Sequence, residues 1–343
     1  MATTITPMLA RLARELPVGD YLYEPKWDGF RCLAFREGGE VDLRSRNGRP
    51  LARYFPEVVE ALLVLPEGRF VLDGELVVAG EDALDFLALM ARLHPAASRV
   101  ERLREETPAS FVAFDLVAAG GEDLAERPFA QRRARLEQLL GLVAPPLALT
   151  PVTADVKVAR AWLDRFEGVV AKHRELRYEP GRRVMVKVKH ERTADCVVAG
   201  FRWLVERPLP SSLLLGLYDD GGELRHVGVA AGFSEALRRE LLDRLAPLAV
   251  PLEGHTWEQG FRLPGSPTGR LKGSAGSWIP GEMEQDWVPV APELVAEVAY
   301  DQLDGHRFRH AGRFQRWRPD RDAQSCRVDQ LEAPAADLAE LLP

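Results

Sequence analysis

The sequence has few cysteines, and their spacing excludes two classes of stabilised fold. Only three occur in 343 residues, Cys32, Cys196 and Cys326, and they lie far apart without any C-x-x-C pair. A disulfide framework needs several cysteines that pair, and a cysteine zinc site needs ligands at short spacing. We therefore expect three reduced, structural thiols.

A long apolar run is also absent. No segment approaches the roughly 20 apolar residues that a membrane-spanning helix needs, and the N-terminus lacks the apolar core of a secretory signal. Because 46% of the residues are hydrophobic, a chain of this length can bury two cores, which favours two domains. We expect a cytoplasmic protein with no membrane partner.

The sequence also lacks a net positive charge, since the formal net charge is −7. Net charge governs solubility, whereas local patches govern binding to nucleic acid. Residues 172–192 hold eight Lys or Arg against three acids, and residues 307–321 hold six arginines against one acid. Each segment is either a solvated face or a binding surface, and composition alone does not choose.

Hydrophobic periodicity predicts an α+β protein, with helices packed over antiparallel strands. Residues 27–46 alternate about a turn at 37–39, which indicates a β-hairpin. Further strands are predicted at 69–78, 110–117, 167–172 and 184–189, and helices at 54–65, 84–93 and 130–142.

After residue 190 the pattern changes to one typical of a small OB-fold β-barrel, a fold that commonly binds nucleic acid. Strands are predicted at 195–203, 213–218 and 224–230, with a helix at 234–245. We therefore divide the chain into domains 1–191 and 192–343. Residues 251–284, rich in Gly, Pro and Ser, are predicted to form a long surface loop.

The most informative segment is EPKWDGFRCL, residues 24–33, which places Lys26 in the pattern K-x-D-G. An unprotonated lysine amine can attack the α-phosphate of a nucleoside triphosphate and hold the monophosphate as a phosphoramide. Taken alone, the tetrapeptide more often marks a strand that runs into a turn at Asp28 and Gly29. Covalent nucleotidyl transfer is therefore a hypothesis that other segments must support.

Two other segments place charge within apolar strands. In VMVKVK, alternation puts Met185, Lys187 and Lys189 on one face, where the two ammonium groups meet either solvent or an anion. Glu75 lies within the apolar run LDGEL, and a charge in such a strand is rarely buried without a partner. We therefore predict a functional role for Glu75.

In their order, these segments resemble the covalent nucleotidyltransferase superfamily and, within it, the small stand-alone ATP-dependent DNA ligases of bacteria, of the actinobacterial ligase C type. The similarity runs from Tyr23 to about Arg321. Six family motifs have a candidate in the sequence: KWDG at 26–29, SRNG at 45–48, LDGEL at 72–76, EGVVAK at 167–172, MVKVK at 185–189 and an arginine-rich run at 309–321.

The resemblance implies an N-terminal adenylation domain, a C-terminal OB-fold domain and a role for each candidate residue. Lys26 would be the adenylated nucleophile. The other residues implied to bind ATP are Glu24 at the adenine amino group, Arg31 at the ribose, Arg46 at a nucleotide or nick phosphate, Glu75 at the ribose or metal, Phe114 and Met185 on the base, Lys187 and Lys189 at the α-phosphate, and Arg316 and Arg318 in the last motif. Glu75 and Glu167 would bind Mg²⁺ or Mn²⁺.

The implied activity is ATP-dependent sealing of nicks that carry a 5′-phosphate and a 3′-hydroxyl, through lysyl-AMP, in DNA repair. The implied partner is nicked duplex DNA, and we expect a monomer in the bacterial cytoplasm or nucleoid. Because Lys26 comes early, we expect no separate DNA-clamping domain before it. The last motif usually ends R-x-D-K, and the sequence has Arg321 there. Arginine and lysine are not interchangeable at a shaped pyrophosphate site, so we expect slower self-adenylation.

Two alternatives stay open at this point. RNA ligases and mRNA capping enzymes share the lysine motif and the two-domain plan, and a capping enzyme would take label from GTP instead of ATP. The other is a non-catalytic OB-fold protein that binds nucleic acid and keeps a decayed catalytic domain. NAD-dependent ligases also carry K-x-D-G, but the chain has neither their length nor their four-cysteine zinc site.

Overall fold

The computed structural model describes residues 5–80, 83–141, 143–189, 191–258 and 287–331. These residues form two compact units, one up to residue 189 and one from residue 191, and each has its own hydrophobic core. Most of the predicted loop at 251–284, from residue 259 onward, lies outside the described residues. Within the described residues, no helix is long and apolar enough to cross a membrane.

The first unit is an α+β structure, as predicted. Its strands are β1 (Leu9–Ala13), β2 (Tyr21–Pro25), β3 (Phe30–Glu37), β4 (Glu40–Ser45), β5 (Arg69–Val78), β6 (Ala109–Ala119), β7 (Glu122–Asp123), β8 (Leu147–Leu149), β9 (Gly168–His173) and β10 (Arg183–Lys189). Its helices are α1 (Pro56–Leu63), α2 (Phe86–Ala91), α3 (Ala97–Glu106), α4 (Phe129–Leu140) and α5 (Val156–Arg165).

Two sheets face each other in this unit. The larger one has the strand order β4-β3-β5-β6-β7, with β8 beside β6, and the smaller one has the order β1-β10-β9-β2. A cluster of buried side chains draws Leu33 and Val71 from the larger sheet and Met185 from the smaller. Helices α1 and α4 cover the larger sheet and α5 covers the smaller, so the space between the sheets is the place where both contribute side chains.

Most of the predicted elements of this unit are confirmed, and one boundary is wrong. Strand β5 has the predicted bounds, and the hairpin turns where Glu37 lies opposite Glu40. The hairpin begins at Phe30, however, and not at residue 27. Residues 26–29 instead connect β2 of the smaller sheet to β3 of the larger one, because β2 pairs with β9 whereas β3 pairs with β5. Lys26 therefore lies on a crossover between sheets.

The second unit is a β-barrel of the OB type, which confirms the predicted fold. Its elements are β11 (Arg192–Trp203), β12 (Pro210–Tyr218), β13 (Leu224–Ala231), α6 (Glu235–Leu245), β14 (Trp287–Tyr300), β15 (Leu303–Asp304), β16 (Arg307–Phe308) and β17 (Arg313–Trp317).

The sheet of the second unit has the order β13-β12-β11-β14-β17, with every pair antiparallel. Gly312 joins its two ends, since its N–H donates to the carbonyl of Val229 at 2.8 Å and its carbonyl accepts from Ala231 at 3.1 Å. A Cβ at residue 312 would overlap the side chain of Val298, so this closure requires glycine. Ser234 caps α6 by accepting from the N–H of Leu237, at the predicted start of that helix.

Candidate active site

A cavity of about 230 Å³ lies between the two sheets of the first unit. The predicted site residues that line it are Glu24, Lys26, Arg31, Arg46, Glu75, Phe114, Met185 and Lys187. They come from five different strands and from the turns that follow β2 and β4. The fold therefore brings together side chains that are up to 163 residues apart in the sequence, from Glu24 to Lys187.

Lys26 is fixed through its backbone and through its neighbours. Its N–H donates to the carbonyl of Gly168 at 2.9 Å. The next residue, Trp27, packs edge-on against Phe166 with 5.5 Å between ring centroids, and its indole N–H donates to Thr150 Oγ1 at 2.8 Å. A side chain at Gly29 would overlap the carbonyl of Leu76. The K-x-D-G residues are therefore packed against both sheets, and the interpretation as an exposed turn is wrong.

The amine of Lys26 forms an ion pair with Glu167. The same carboxylate contacts Lys189 Nζ at 2.9 Å, so one anion lies between two ammonium groups. Burial acts to raise the pKa of Glu167, but Lys26 and Lys189 outweigh it and hold that pKa below its usual value. Desolvation and the charges of Lys26 and Lys189 lower the pKa of Lys187. The arrangement brings Lys26, Lys187 and Lys189 close together, and such a cluster of cations suits a phosphate group.

Glu24 contributes a negative charge to the cavity. Its carboxylate is buried, and one of the two oxygens has a close cationic partner. Its Oε2 is 2.7 Å from Lys172 Nζ, whereas Oε1 is 3.6 Å from Arg133 and accepts no hydrogen bond among the described residues. Burial raises the pKa of Glu24, and Lys172 and Arg133 oppose that effect. Because Glu24 also lines the cavity, its carboxylate is the candidate acceptor there for a donor on a bound molecule.

The cavity also has apolar walls. Met185 and Phe114 are both less than a tenth exposed, and both line the cavity. The ring of Phe114 lies 4.4 Å from the Arg31 guanidinium carbon and 4.9 Å from Lys172 Nζ. Arg31 is held in turn by Asp73, to which its Nε and Nη2 each donate at 2.6 Å. Phe114 and Met185 therefore give the cavity apolar surface beside charged side chains that are held in place.

Glu75 is the second carboxylate predicted as a metal ligand. It lines the cavity, and desolvation raises its pKa to about 8, with Glu167 and Asp28 adding to the shift while Lys26 and Arg31 oppose it. Among the residues that the structure describes, no group of three or more His, Cys, Asp or Glu is arranged to hold a metal. The donors present are thus a few carboxylates whose mutual repulsion a cation would relieve.

Arg316 and Arg318 belong to the second unit and are described within it. Arg316 lies on β17 and donates through Nε to Glu297 at 2.7 Å. Arg318 donates to both carboxylate oxygens of Asp195 at 2.9 Å, and its Nη2 donates to Asp320 at 2.8 Å. The hydrogen bond from Arg318 lowers the pKa of Asp320 to about 2.

Several residues at the site were missed by sequence reasoning. They include Lys172, Arg133 and Asp73, described above, and Arg183, which lines the cavity. Asp115 is also fully buried, and it accepts from Arg132 Nε at 2.8 Å and Nη2 at 3.0 Å. The signal that selected Glu75, a charge within an apolar strand, applies equally to Asp73 and Asp115 and would have found both.

Comparison with known proteins decides the family. The model of the ATP dependent DNA ligase domain matches residues 2–189, and that of the ATP dependent DNA ligase C terminal region matches residues 206–321. The chain belongs to the ATP-dependent DNA ligases. It is 48% identical to DNA ligase C2 of Mycolicibacterium smegmatis over 96% of this chain and 95% of that protein. It is 46% identical to DNA ligase C of Mycobacterium tuberculosis over 99% of this chain and 97% of that protein.

A solved Lig E DNA ligase shares the fold, with a TM-score of 0.53 at 19% identity over 92% of this chain and 100% of that one. The similarity to ligase C enzymes confirms the predicted enzyme class and its use of ATP. The first unit is accordingly a nucleotidyltransferase fold, and the second is the OB-fold of the same enzyme family. The alternative of a catalytically silent binding protein is set aside, since the family is one of enzymes.

Proposed function

We propose that Lys26 accepts AMP from ATP as a phosphoramide, and that the enzyme passes this AMP to a 5′-phosphate at a nick before a 3′-hydroxyl displaces it. The observation that carries the proposal is the ion pair of Lys26 with Glu167 beside a cavity that Lys26, Lys187 and Glu24 line together. Residues 1–191 would act as the adenylation domain and residues 192–343 as the OB-fold domain.

The contacts proposed for the nucleotide base would make the enzyme prefer ATP over GTP. Adenine carries an amino group where guanine carries a carbonyl oxygen, and Glu24 Oε1 accepts no other hydrogen bond among the described residues. A carboxylate attracts the amino group and repels the carbonyl oxygen, so this one contact favours adenine and disfavours guanine. Met185 and Phe114 supply apolar surface for the ring, and Arg31 supplies a cation beside the ribose.

In the proposed first step, the ammonium of Lys26 gives a proton to solvent water, and its Nζ then attacks the α-phosphorus. A bond forms between nitrogen and phosphorus, the bond from the α-phosphorus to the bridging oxygen breaks, and pyrophosphate leaves. Lys187 and Lys189 neutralise charge on the α-phosphate, and Arg46 lies at the same cavity. Arg316 and Arg318 would act on the departing phosphates. Catalysis is then mainly positioning and charge neutralisation, as in other phosphoryl transfers.

Mg²⁺ is part of the proposal, with Mn²⁺ as its substitute. Mg²⁺ commonly binds one or two carboxylates together with substrate phosphates and waters, so Glu75 and Glu167 fit it without a complete protein cage. The raised pKa of Glu75 supports this, because a nearby cation would favour its charged form. The ion would neutralise phosphate charge, while Glu167 orients the amine of Lys26.

The proposed substrate is nicked duplex DNA with a 5′-phosphate and a 3′-hydroxyl. Such ends remain when excised DNA has been resynthesised, which supports a role in repair, within the cytoplasm where DNA and ATP meet. The proposal excludes the alternatives of RNA ligation and capping chemistry, and the substrate experiment below separates all three.

The test uses ATP labelled at the α-phosphate, the native protein and Mg²⁺. We expect label on the protein in an acid-labile, alkali-stable bond that peptide mass spectrometry places on Lys26, since phosphoramides have those properties. A chase with nicked duplex DNA should move the label to the DNA and produce a sealed strand. Label from GTP alone would indicate capping chemistry, sealing only of an RNA 3′-hydroxyl would indicate an RNA ligase, and no label with Mg²⁺ or Mn²⁺ would contradict the proposal.

A further inference from the structure

Three charged side chains lie opposite one another across three strands of the OB-fold unit. Asp195 on β11 is the partner of Glu297 on β14, and Glu297 is the partner of Arg316 on β17. Side chains that are directly opposite lie on one face of a sheet, within reach of each other. This row carries two acids beside the arginines of the last motif, although residues 309–321 have five arginines and only one acid of their own.

Asp195 holds two of those arginines. Both of its carboxylate oxygens accept from Arg318 Nη1 at 2.9 Å, and its Oδ2 is also 3.4 Å from Arg321 Nε. The Asp195 side chain is 13% exposed and that of Arg318 is 19% exposed. Arginine, unlike lysine, has an Nε at that position, so the residue that departs from the R-x-D-K pattern has a specific contact here.

The backbone of Asp195 is fixed as firmly as its side chain. Its N–H donates to Gln330 Oε1 at 2.7 Å, and Gln330 Nε2 donates back to its carbonyl at 3.1 Å. The pairing of β11 with β12 begins only at Val197, so Gln330 satisfies backbone groups that the neighbouring strand does not reach. Because Gln330 fixes the backbone of Asp195, the carboxylate of Asp195 is preorganised to orient Arg318 and Arg321.

The two arginines predicted to bind phosphate differ in what their donors do. Arg318 uses Nε, Nη1 and Nη2 in hydrogen bonds to Asp195 and Asp320. Arg316 has a side chain that is 66% exposed and, among the residues that the structure describes, one hydrogen bond to an acid, from Nε to Glu297. Its two outer nitrogens form the fork that matches a phosphate. Arg316 is therefore the arginine whose geometry suits direct contact with an anion.

We infer that Asp195 is a positioning residue for self-adenylation, which orients Arg318 and Arg321 so that the last motif presents Arg316 to the departing pyrophosphate. The inference rests on the proposed function and adds that Arg316 and Arg318 have different roles within the last motif. Asp195 acts through Arg318 and touches no reacting atom, so its loss should affect the step that involves pyrophosphate and leave the final sealing step intact.

The experiment compares the full-length native protein with Asp195→Asn in two assays. One measures pyrophosphate-dependent discharge of the adenylated protein, in which pyrophosphate takes the AMP from Lys26 and leaves as ATP, and the other measures sealing of a nick that already carries AMP. A hydrogen bond to a charged group contributes about 1.5–3 kcal/mol, so we expect about a 10- to 100-fold higher pyrophosphate requirement in Asp195→Asn. Sealing should stay within about twofold of native. Asp195→Glu, which keeps the charge, should recover part of the pyrophosphate response.

The matched control is Asp219→Asn, which removes another ion pair of the same unit, between Asp219 and Arg225. Its adenylation and sealing should both match the native protein. Glu297→Gln is the second variant if Asp195→Asn does not fold, and it should raise the pyrophosphate requirement through Arg316. An unchanged requirement in either variant, or equal loss of both steps, would overturn the inference. Failure of the native protein itself to take label from ATP would instead overturn the proposed function.

Discussion

Replacing Lys26 with alanine is expected to abolish transfer of AMP from ATP to the protein. Loss of a nucleophile in a covalent mechanism removes the step itself, so we expect a fall of more than about 10⁴-fold in the adenylation rate. Lys26 is held at the cavity by the ion pair of its amine with Glu167 and by the hydrogen bond from its backbone N–H to the carbonyl of Gly168. The measurement is the incorporation of α-labelled ATP under single-turnover conditions.

The same variant separates the chemical steps. Sealing of a nick that already carries AMP needs no attack by Lys26, so Lys26→Ala should still seal it. The matched control is Lys157→Ala, an exposed lysine at the start of α5, which should label and seal like the native protein. Substantial labelling of Lys26→Ala by ATP would show that another residue is the nucleophile and would contradict the assignment.

Short-range patterns predicted the strands well, because alternation and β-branched runs are local properties. Strand β5 and the hairpin of β3 and β4 follow from them, as do β12 and β13. The strands β1 and β2 were missed, together with helices α3 and α5. Strand β1 pairs in parallel with β10, which lies about 170 residues later, so the contact that stabilises it is invisible to local periodicity.

The site could be predicted only in part, for a related reason. The resemblance identified side chains that line the cavity, such as Lys26, Lys187 and Glu24. The residues that hold them are defined by contacts across the fold, as Lys172 is by Glu24 and by the carbonyl of Phe114 at 2.9 Å. The motif itself does not show which side chains are buried. A search for charges in apolar strands would have recovered Asp115, and no local signal would have paired it with Arg132.

Asp115→Asn is expected to cost about 3–5 kcal/mol of the free energy of unfolding of the first unit at pH 7. The change leaves the fully buried guanidinium of Arg132 without its counter-charge, and removing one partner of a buried pair is costly for that reason. It also removes a charge 4.0 Å from Lys172, which contacts Glu24. The matched control is Glu126→Gln, whose exposed pair with Arg177 should contribute less than about 1 kcal/mol.

The size of this effect should depend on pH. Burial acts to raise the pKa of Asp115, but Arg132 and Lys172 outweigh it and hold that pKa below its value in the unfolded chain. The stability gained from the charged form is therefore complete above the unfolded value of about 3.9 and is lost as the pH falls through the folded value. The difference between native protein and Asp115→Asn should be largest at pH 7 and shrink below about pH 4. Urea midpoints for hydrogen-exchange protection of β6 peptides, compared at pH 7 and pH 3, measure it, and a difference that grows on acidification would contradict a charged Asp115 in the folded protein.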